Sequence, residues 1–215
     1  MTFDEALRFV RETEPNILYI GGKTSTGKST FAAQLKEDLR YKVVELDKVV
    51  QGSVILPLKI SNHGEAFNEV YKRRDKLDWI QRFIEAADNE AAEVIKTSSR
   101  VIIDGAVANP VTLRELLASL PGVVILYFHP TDLDVYERNL TNRFKMATPT
   151  HTAGLPTQFW DLVDKAEFQR FCETGVISVP LRESISKYAH KSQESSEQRI
   201  DEQSAIAPNM RIVNI

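Results

Sequence analysis

The chain has 215 residues, a formal net charge of −3 and 42% hydrophobic residues. These values suit one α/β domain over residues 1–215, and the acidic balance argues against nucleic acid as the main partner. One cysteine and four histidines exclude an internal disulfide and offer no zinc constellation, and we expect a cytoplasmic protein without a membrane partner, because neither a membrane-spanning apolar run nor a signal-peptide core is present.

The first elements along the chain are a short helix and a buried strand. Thr2 and Glu5 form a capping-box pattern, and the apolar residues that follow share one helical face. Pro15 ends this helix. The apolar run Ile17–Ile20 then predicts a strand, and the spacing of Phe31, Leu35 and Leu39 predicts a second helix after a glycine-bearing turn.

The turn between that strand and helix carries Gly22-x-x-x-x-Gly27-Lys28-Ser29, which matches the P-loop pattern without a mismatch. Glycines permit the backbone angles of a phosphate-binding loop, and the following helix directs its positive end toward the same anion. In this motif the lysine reaches the β- and γ-phosphates, and the serine hydroxyl holds Mg²⁺. We therefore expect nucleotide phosphates to bind at Gly22, Lys23, Thr24, Ser25, Thr26, Gly27, Lys28, Ser29 and Thr30.

Two further strands are each predicted to end in an aspartate. Residues 42–47 form the second strand and end at Asp47, whereas residues 100–105 form the third and carry Asp104. Ligands of open α/β sheets bind outside the carboxyl ends of the strands. We expect Asp47 to meet the phosphoryl acceptor, although an ordinary helix cap is the alternative. We expect Asp104, in a Walker B pattern, to help Ser29 place Mg²⁺. The segment between these strands, residues 48–97, is predicted to be a helical insertion on the acceptor side.

The second half of the chain begins with a predicted strand over residues 123–128, followed by His129, for which we expect a structural role. A helix then carries Arg138 and Arg143 as far as Phe144. Residues 144–157 have no helical or strand periodicity and are predicted to be a loop that acts as a lid. An arginine beside such a lid is suited to neutralising charge on a transferring phosphoryl group, so both arginines are catalytic candidates, with surface salt bridges as the alternative.

The C-terminal third is less informative. Its aromatic spacing predicts one helix over residues 158–172, with Cys172 as an inert buried thiol. Residues 182–207 are rich in serine, glutamate and glutamine and show little periodicity, which fits either an exposed helix or partial disorder. Residues 210–215 predict the last strand. Strands that alternate with helices in this way imply a parallel sheet of about five strands, covered on both faces.

The order of these features resembles the P-loop kinase group, and within it the uridine kinases. Asp47 matches their strand-end aspartate, and residues 63–67, His-Gly-Glu-Ala-Phe, stand where uridine kinases carry His-Pro-Asp-Ala-Phe. The resemblance implies a three-layer P-loop NTPase sandwich with an acceptor insertion and a lid. It also implies a kinase that uses ATP and Mg²⁺ to phosphorylate a hydroxyl of a small molecule. Zeta-toxin-type sugar-nucleotide kinases share the P-loop and the strand-end aspartate.

The predicted catalytic residues of such a kinase are Lys28, Asp47, Arg138 and Arg143. A different class of function, an ATPase or nucleotide-dependent switch that acts on a protein partner, stays open. The 48–97 insertion suits an acceptor pocket better than a switch loop, and the guanine-specifying Asn-Lys-x-Asp motif is absent. The oligomeric state is not readable from the sequence.

Overall fold

The computed structural model describes residues 1–45, 100–105, 114 and 122–215. Its helices and strands, in chain order, are α1 (Phe3–Thr13), β1 (Ile17–Gly22), α2 (Lys28–Leu39), β2 (Lys42–Glu45), β3 (Val101–Asp104), β4 (Val124–His129), α3 (Leu133–Phe144), α4 (Thr157–Trp160), α5 (Lys165–Thr174), α6 (Val179–Ser204) and β5 (Arg211–Asn214). In this part of the chain every helix is too short or too polar to cross a bilayer. Asp47 and the predicted insertion 48–97 lie outside the described residues.

The five strands form one parallel sheet in the order β2-β3-β1-β4-β5. The apolar strand β1 lies in the centre, where both of its neighbours shield it from water. Its register pairs Ile20 with Asp104 of β3, and Gly22 with Phe128 of β4. Because all strands are parallel, the loop after β1, the end of β3 and the end of β4 meet at one edge of the sheet.

Helices cover both faces of the sheet, which confirms the predicted three-layer α/β P-loop fold. On one face α1 and α2 pack against β1, β3, β4 and β5. The rings of Phe3, Phe31 and Phe128 meet there with centroids 5.1–6.2 Å apart. The other face is covered by α6, which contacts β4. The predicted capping box of Thr2 and Glu5 is present at the start of α1.

A second hydrophobic cluster joins helices α3 to α6. Phe144, at the end of α3, is fully buried in this cluster, and its ring centroid lies 4.8–6.0 Å from those of four other aromatic residues. Residues 145–156, most of the predicted lid, connect α3 to α4. Ala147 and Leu155 of this loop are buried, so part of the loop is packed into the protein. Movement of this loop stays a prediction.

Two sequence-based predictions in the C-terminal third were wrong. The single helix over 158–172 is two helices, because the Asp164 side chain accepts hydrogen bonds from the backbone N–H groups of Ala166 and Glu167 and caps a new helix. Cys172 is exposed rather than buried. Consecutive helical residues point about 100° apart, so burial of the neighbouring Phe171 turns Cys172 toward solvent.

The polar segment after residue 182 belongs to α6, a helix of 26 residues, and it has a buried face. Ser192 and Ser196 continue the buried stripe begun by the apolar residues Leu181 and Ile185. Ser196 Oγ lies 2.9 Å from Nδ1 of His129 at the end of β4. Small serines let the helix approach the sheet closely, and the Ser196 hydroxyl is paired with His129, so hydrophobic periodicity alone does not reveal this face.

The second cluster yields a stability prediction. Replacing Phe144 by alanine should lower the free energy of unfolding by about 3–5 kcal/mol, because it empties a buried aromatic site. Met146→Ala, two residues further on, removes a side chain that is 70% exposed and should change stability by less than about 0.5 kcal/mol. Urea unfolding of both variants tests this. Equal effects would contradict the described packing.

Candidate functional site

Gly22, the last residue of β1, sets the path of the candidate loop. Its φ is +127°, and a Cβ atom placed there would lie 2.3 Å from the carbonyl oxygen of Phe128 on the adjacent strand. Glycine alone avoids both the unfavourable dihedral angle and the collision. At the other end of the loop, Gly27 has a φ of +83° and is the N-cap of α2. The two glycines of the motif therefore stand where the backbone requires them.

Lys28 is folded against the loop that precedes it. Its Nζ donates hydrogen bonds to the carbonyl oxygens of Gly22, at 3.1 Å, and Lys23, at 2.7 Å. Thr26 Oγ1 also donates to the Lys23 carbonyl, at 2.7 Å. Because α2 begins at Lys28, the positive end of the helix dipole and this ammonium group lie together at the loop. An anion bound there would be attracted by both.

Ser29 and Asp104 come together from different elements. Ser29 Oγ, in the first turn of α2, donates to Asp104 Oδ2 at 3.5 Å. Ser29 and Asp104 come close because β1 pairs directly with β3, which brings the end of β3 beside the start of the loop. Hydroxyl and carboxylate oxygens are ligands that Mg²⁺ prefers. Within the described ranges no group of three or more His, Cys, Asp and Glu residues could hold a metal.

Helix α3 contacts the outer part of the same loop through two side chains one turn apart. Arg143 Nη1 donates to Thr24 Oγ1 at 2.6 Å, and Asn139 Nδ2 donates to the carbonyl oxygen of Ser25 at 3.3 Å. Thr24 Oγ1 in turn donates to the carbonyl oxygen of Gly154 in the loop predicted to be a lid, at 3.5 Å. Sequence reasoning missed Asn139, although its position four residues before Arg143 predicts a shared helix face.

Arg138 is not part of this group. It lines a separate groove with residues of α3 and α6, including Asp134, Glu137 and Arg182. Arg138 and Arg143 are five positions apart, so they point to different sides of α3. The structure therefore brings only one of the two predicted arginines to the loop. The predicted acceptor-side residue, Asp47, lies outside the described residues.

A third contact with the loop comes from α6 and was also missed. Lys23 Nζ donates to Ser195 Oγ at 2.9 Å. Burial, together with the positive charge of Arg199, lowers the pKa of Lys23 from its usual value to about 8. The residues between Tyr188 and Ser204 gave little hydrophobic periodicity, so the sequence carried no signal that this helix reaches the loop.

Comparisons with known proteins give similarity only among solved structures. No protein-family model and no curated protein sequence matches the chain. A gluconokinase from Sinorhizobium meliloti is 14% identical, with a TM-score of 0.39, covering 82% of this chain and 95% of its own. A shikimate kinase from Bacteroides thetaiotaomicron is 16% identical, with a TM-score of 0.41, and the match covers 88% of this chain and 98% of that kinase. A deoxyadenosine kinase from M. mycoides is 12% identical, with a TM-score of 0.40, and the match covers 93% of this chain and 89% of that kinase.

The close approach at Gly22 yields a prediction with a matched control. Gly22→Ala should lower the free energy of unfolding by about 2–4 kcal/mol, through a positive φ and the collision with the Phe128 carbonyl. Gly122→Ala also places an alanine at a positive φ, +85°, but among the described residues a Cβ there meets nothing within 4 Å, so its cost should be about 1 kcal/mol. Chemical denaturation measures both. A larger loss for Gly122→Ala would contradict the described loop path.

Proposed function

We propose that the protein is an ATP- and Mg²⁺-dependent phosphotransferase that phosphorylates a hydroxyl group of a small molecule. The observation that carries this proposal is the meeting of three groups at one sheet edge. Ser29 Oγ lies 3.5 Å from Asp104 Oδ2, and the Lys28 ammonium group is held in the adjoining loop. An ammonium group, two oxygen ligands and a helix N-terminus are the features that a nucleotide polyphosphate and its Mg²⁺ require.

Each of these groups has a proposed task. Lys28 and the loop backbone hold the phosphate chain, whereas Ser29 and Asp104 would hold Mg²⁺. When bound, Mg²⁺ neutralises the charge on the phosphate oxygens. Phosphoryl transfer depends on positioning and electrostatics, with little covalent chemistry for the protein to perform. A rigid loop, fixed by Gly22 at one end and by α2 at the other, suits that requirement.

Arg143 is the proposed arginine for the transferring phosphoryl group. Its guanidinium group lies 2.6 Å from Thr24 of the loop, and Gly154 of the predicted lid is close to the same guanidinium group. A guanidinium group there would neutralise charge that develops on the phosphate oxygens. The contacts give Arg138 no such task, because it lines a different groove, and we leave it out of the proposed site.

The acceptor side of the proposal rests on the sequence. Asp47 is the proposed base, which accepts the proton of the acceptor hydroxyl and aligns its oxygen. The segment 48–97 is the proposed acceptor-binding part of the chain. The resemblance to uridine kinases favours a nucleoside acceptor, with a sugar nucleotide as the alternative. The acidic net charge argues against nucleic acid as the acceptor.

The proposal predicts a specific effect of removing the loop ammonium group. Lys28→Ala should lower kcat/KM about a hundredfold or more, because it removes a group that binds the charged phosphates, while the fold survives. Lys36→Ala removes the same side chain from an exposed position on the same helix and should leave kcat/KM unchanged. Steady-state kinetics and circular dichroism test both variants. Comparable losses from the two would contradict the assignment of Lys28.

The acceptor is tested by measuring ADP release from ATP with nucleosides, sugars, vitamins and nucleotide sugars in turn. We expect one compound class to stimulate release and Asp47→Asn to abolish this stimulation while nucleotide binding persists, since aspartate but not asparagine accepts the hydroxyl proton. ADP release that no compound changes would favour an ATPase or switch instead. Near-normal turnover of Asp47→Asn would show that Asp47 is not the base.

A further inference from the structure

Ser25 adopts a backbone conformation that is unfavourable for a residue with a side chain. Its φ is +62°, in the left-handed region where the Cβ atom crowds the following carbonyl oxygen. Glu14 and Arg40 also have positive φ, but they end α1 and α2, where left-handed residues are common. Ser25 ends no helix and lies inside the P-loop. Such a conformation persists only where the surrounding structure supports it.

The hydroxyl group of Ser25 does not provide this support. Its Oγ is buried and has no hydrogen-bond partner among the residues that the structure describes. Burying an unpaired hydroxyl group is itself unfavourable. The side chain therefore adds to the cost of the conformation, and the stabilising contact must be made by the backbone of Ser25.

That contact comes from α3. Asn139 Nδ2 donates a hydrogen bond to the Ser25 carbonyl oxygen at 3.3 Å. Leu140, the next residue of the helix, is fully buried in the second hydrophobic cluster, which fixes this part of α3. One turn further on, Arg143 Nη1 donates to Thr24 Oγ1 at 2.6 Å. Two consecutive residues of the loop are thus attached to one helix.

The direction of the Asn139 hydrogen bond also sets the orientation of the next peptide group. The C=O and N–H groups of a trans peptide point in opposite directions. Because the Ser25 carbonyl is directed to α3, the N–H group of Thr26 points away from that helix. A change of Ser25 to a negative φ would rotate the peptide groups on its two sides relative to each other. The N–H groups that form an anion-binding concavity would then no longer converge.

We propose that Asn139 is a positioning residue that holds Ser25 in its left-handed conformation and thereby keeps the P-loop in its nucleotide-binding shape before the nucleotide arrives. This inference rests on the proposed function and deepens it. A loop that already has its bound shape gives higher affinity, because less conformational freedom is lost on binding. Once phosphate oxygens contact the loop they hold its shape themselves, so Asn139 contributes to nucleotide binding more than to phosphoryl transfer.

Calorimetric titration with ADP and Mg²⁺ tests this role. Asn139→Ala should weaken binding about tenfold, as expected for the loss of one hydrogen bond that holds the loop in shape. In steady-state assays the KM for ATP should increase by more than kcat decreases. Asn142→Ala removes the same side chain from an exposed position on the same helix, and this control should bind ADP like the wild type.

A cycle of double variants provides a readout that a merely structural role of Asn139 would not change. Glycine adopts a positive φ without a steric penalty, whereas alanine keeps the Cβ atom and lacks only the hydroxyl group. Asn139→Ala should therefore weaken ADP binding about tenfold when it is added to Ser25→Ala, but less than about twofold when it is added to Ser25→Gly. If Asn139→Ala is unfolded by circular dichroism, Asn139→Asp, which keeps the shape but lacks the donor, takes its place in the cycle.

The possible results separate the role of Asn139 from the proposed function. Equal losses of affinity in the Ser25→Ala and Ser25→Gly backgrounds would overturn the positioning role and leave the kinase intact, as would wild-type affinity in Asn139→Ala. The expected cycle without phosphoryl transfer to any acceptor would overturn the kinase and leave the positioning role intact. If the wild type binds no ADP, the proposed function is wrong, and equal shifts of the urea midpoint in the two backgrounds would show that Asn139 does not hold Ser25 either.

Discussion

The structure depends on how closely two adjacent parallel strands approach at the end of β1. Gly22 lies so close to the carbonyl group of Phe128 that a Cβ atom at position 22 would be only 2.3 Å from the carbonyl oxygen. This contact fixes where the chain leaves the sheet and therefore where α2 begins. The Lys28 ammonium group, the Ser29 hydroxyl and the helix dipole all take their positions from that point. A displaced loop would separate these groups from Asp104, which is held independently by β3.

Helices α2, α3 and α6 meet at this loop, and each contacts it differently. Helix α2 continues from it, α3 lies across it through Asn139 and Arg143, and α6 reaches it through Ser195. Helices α3 and α6 also share the second hydrophobic cluster. Packing within that cluster therefore sets the position of Arg143, because Phe144 beside it is fully buried. In this way burial of apolar surface some distance away orients charged groups at the loop.

Much of the fold was predictable because its signals are local. Apolar runs gave the strands, the Thr2–Glu5 capping box gave the start of α1, and alternation of strands with helices gave the parallel sheet. Local reasoning failed where burial did not involve apolar residues. Ser192 and Ser196 are buried in α6. A hydrophobic pattern nevertheless assigns serine to the surface, because most serines in proteins are exposed. The exposure of Cys172 was missed because Phe168 and Phe171, which precede it at helical spacing, suggested that it shared their buried face.

The sequence by itself determined the P-loop, its glycines and lysine, the strand that ends in Asp104 and the α/β class. These follow from short-range rules of backbone conformation and apolar spacing. Only the tertiary structure decided that Arg143 rather than Arg138 meets the loop, and that Lys23 lies against α6. The reason is physical: which side of a helix faces a site depends on how that helix packs against distant elements. Contacts such as Lys23–Ser195 join residues far apart in the chain, and no local pattern records them.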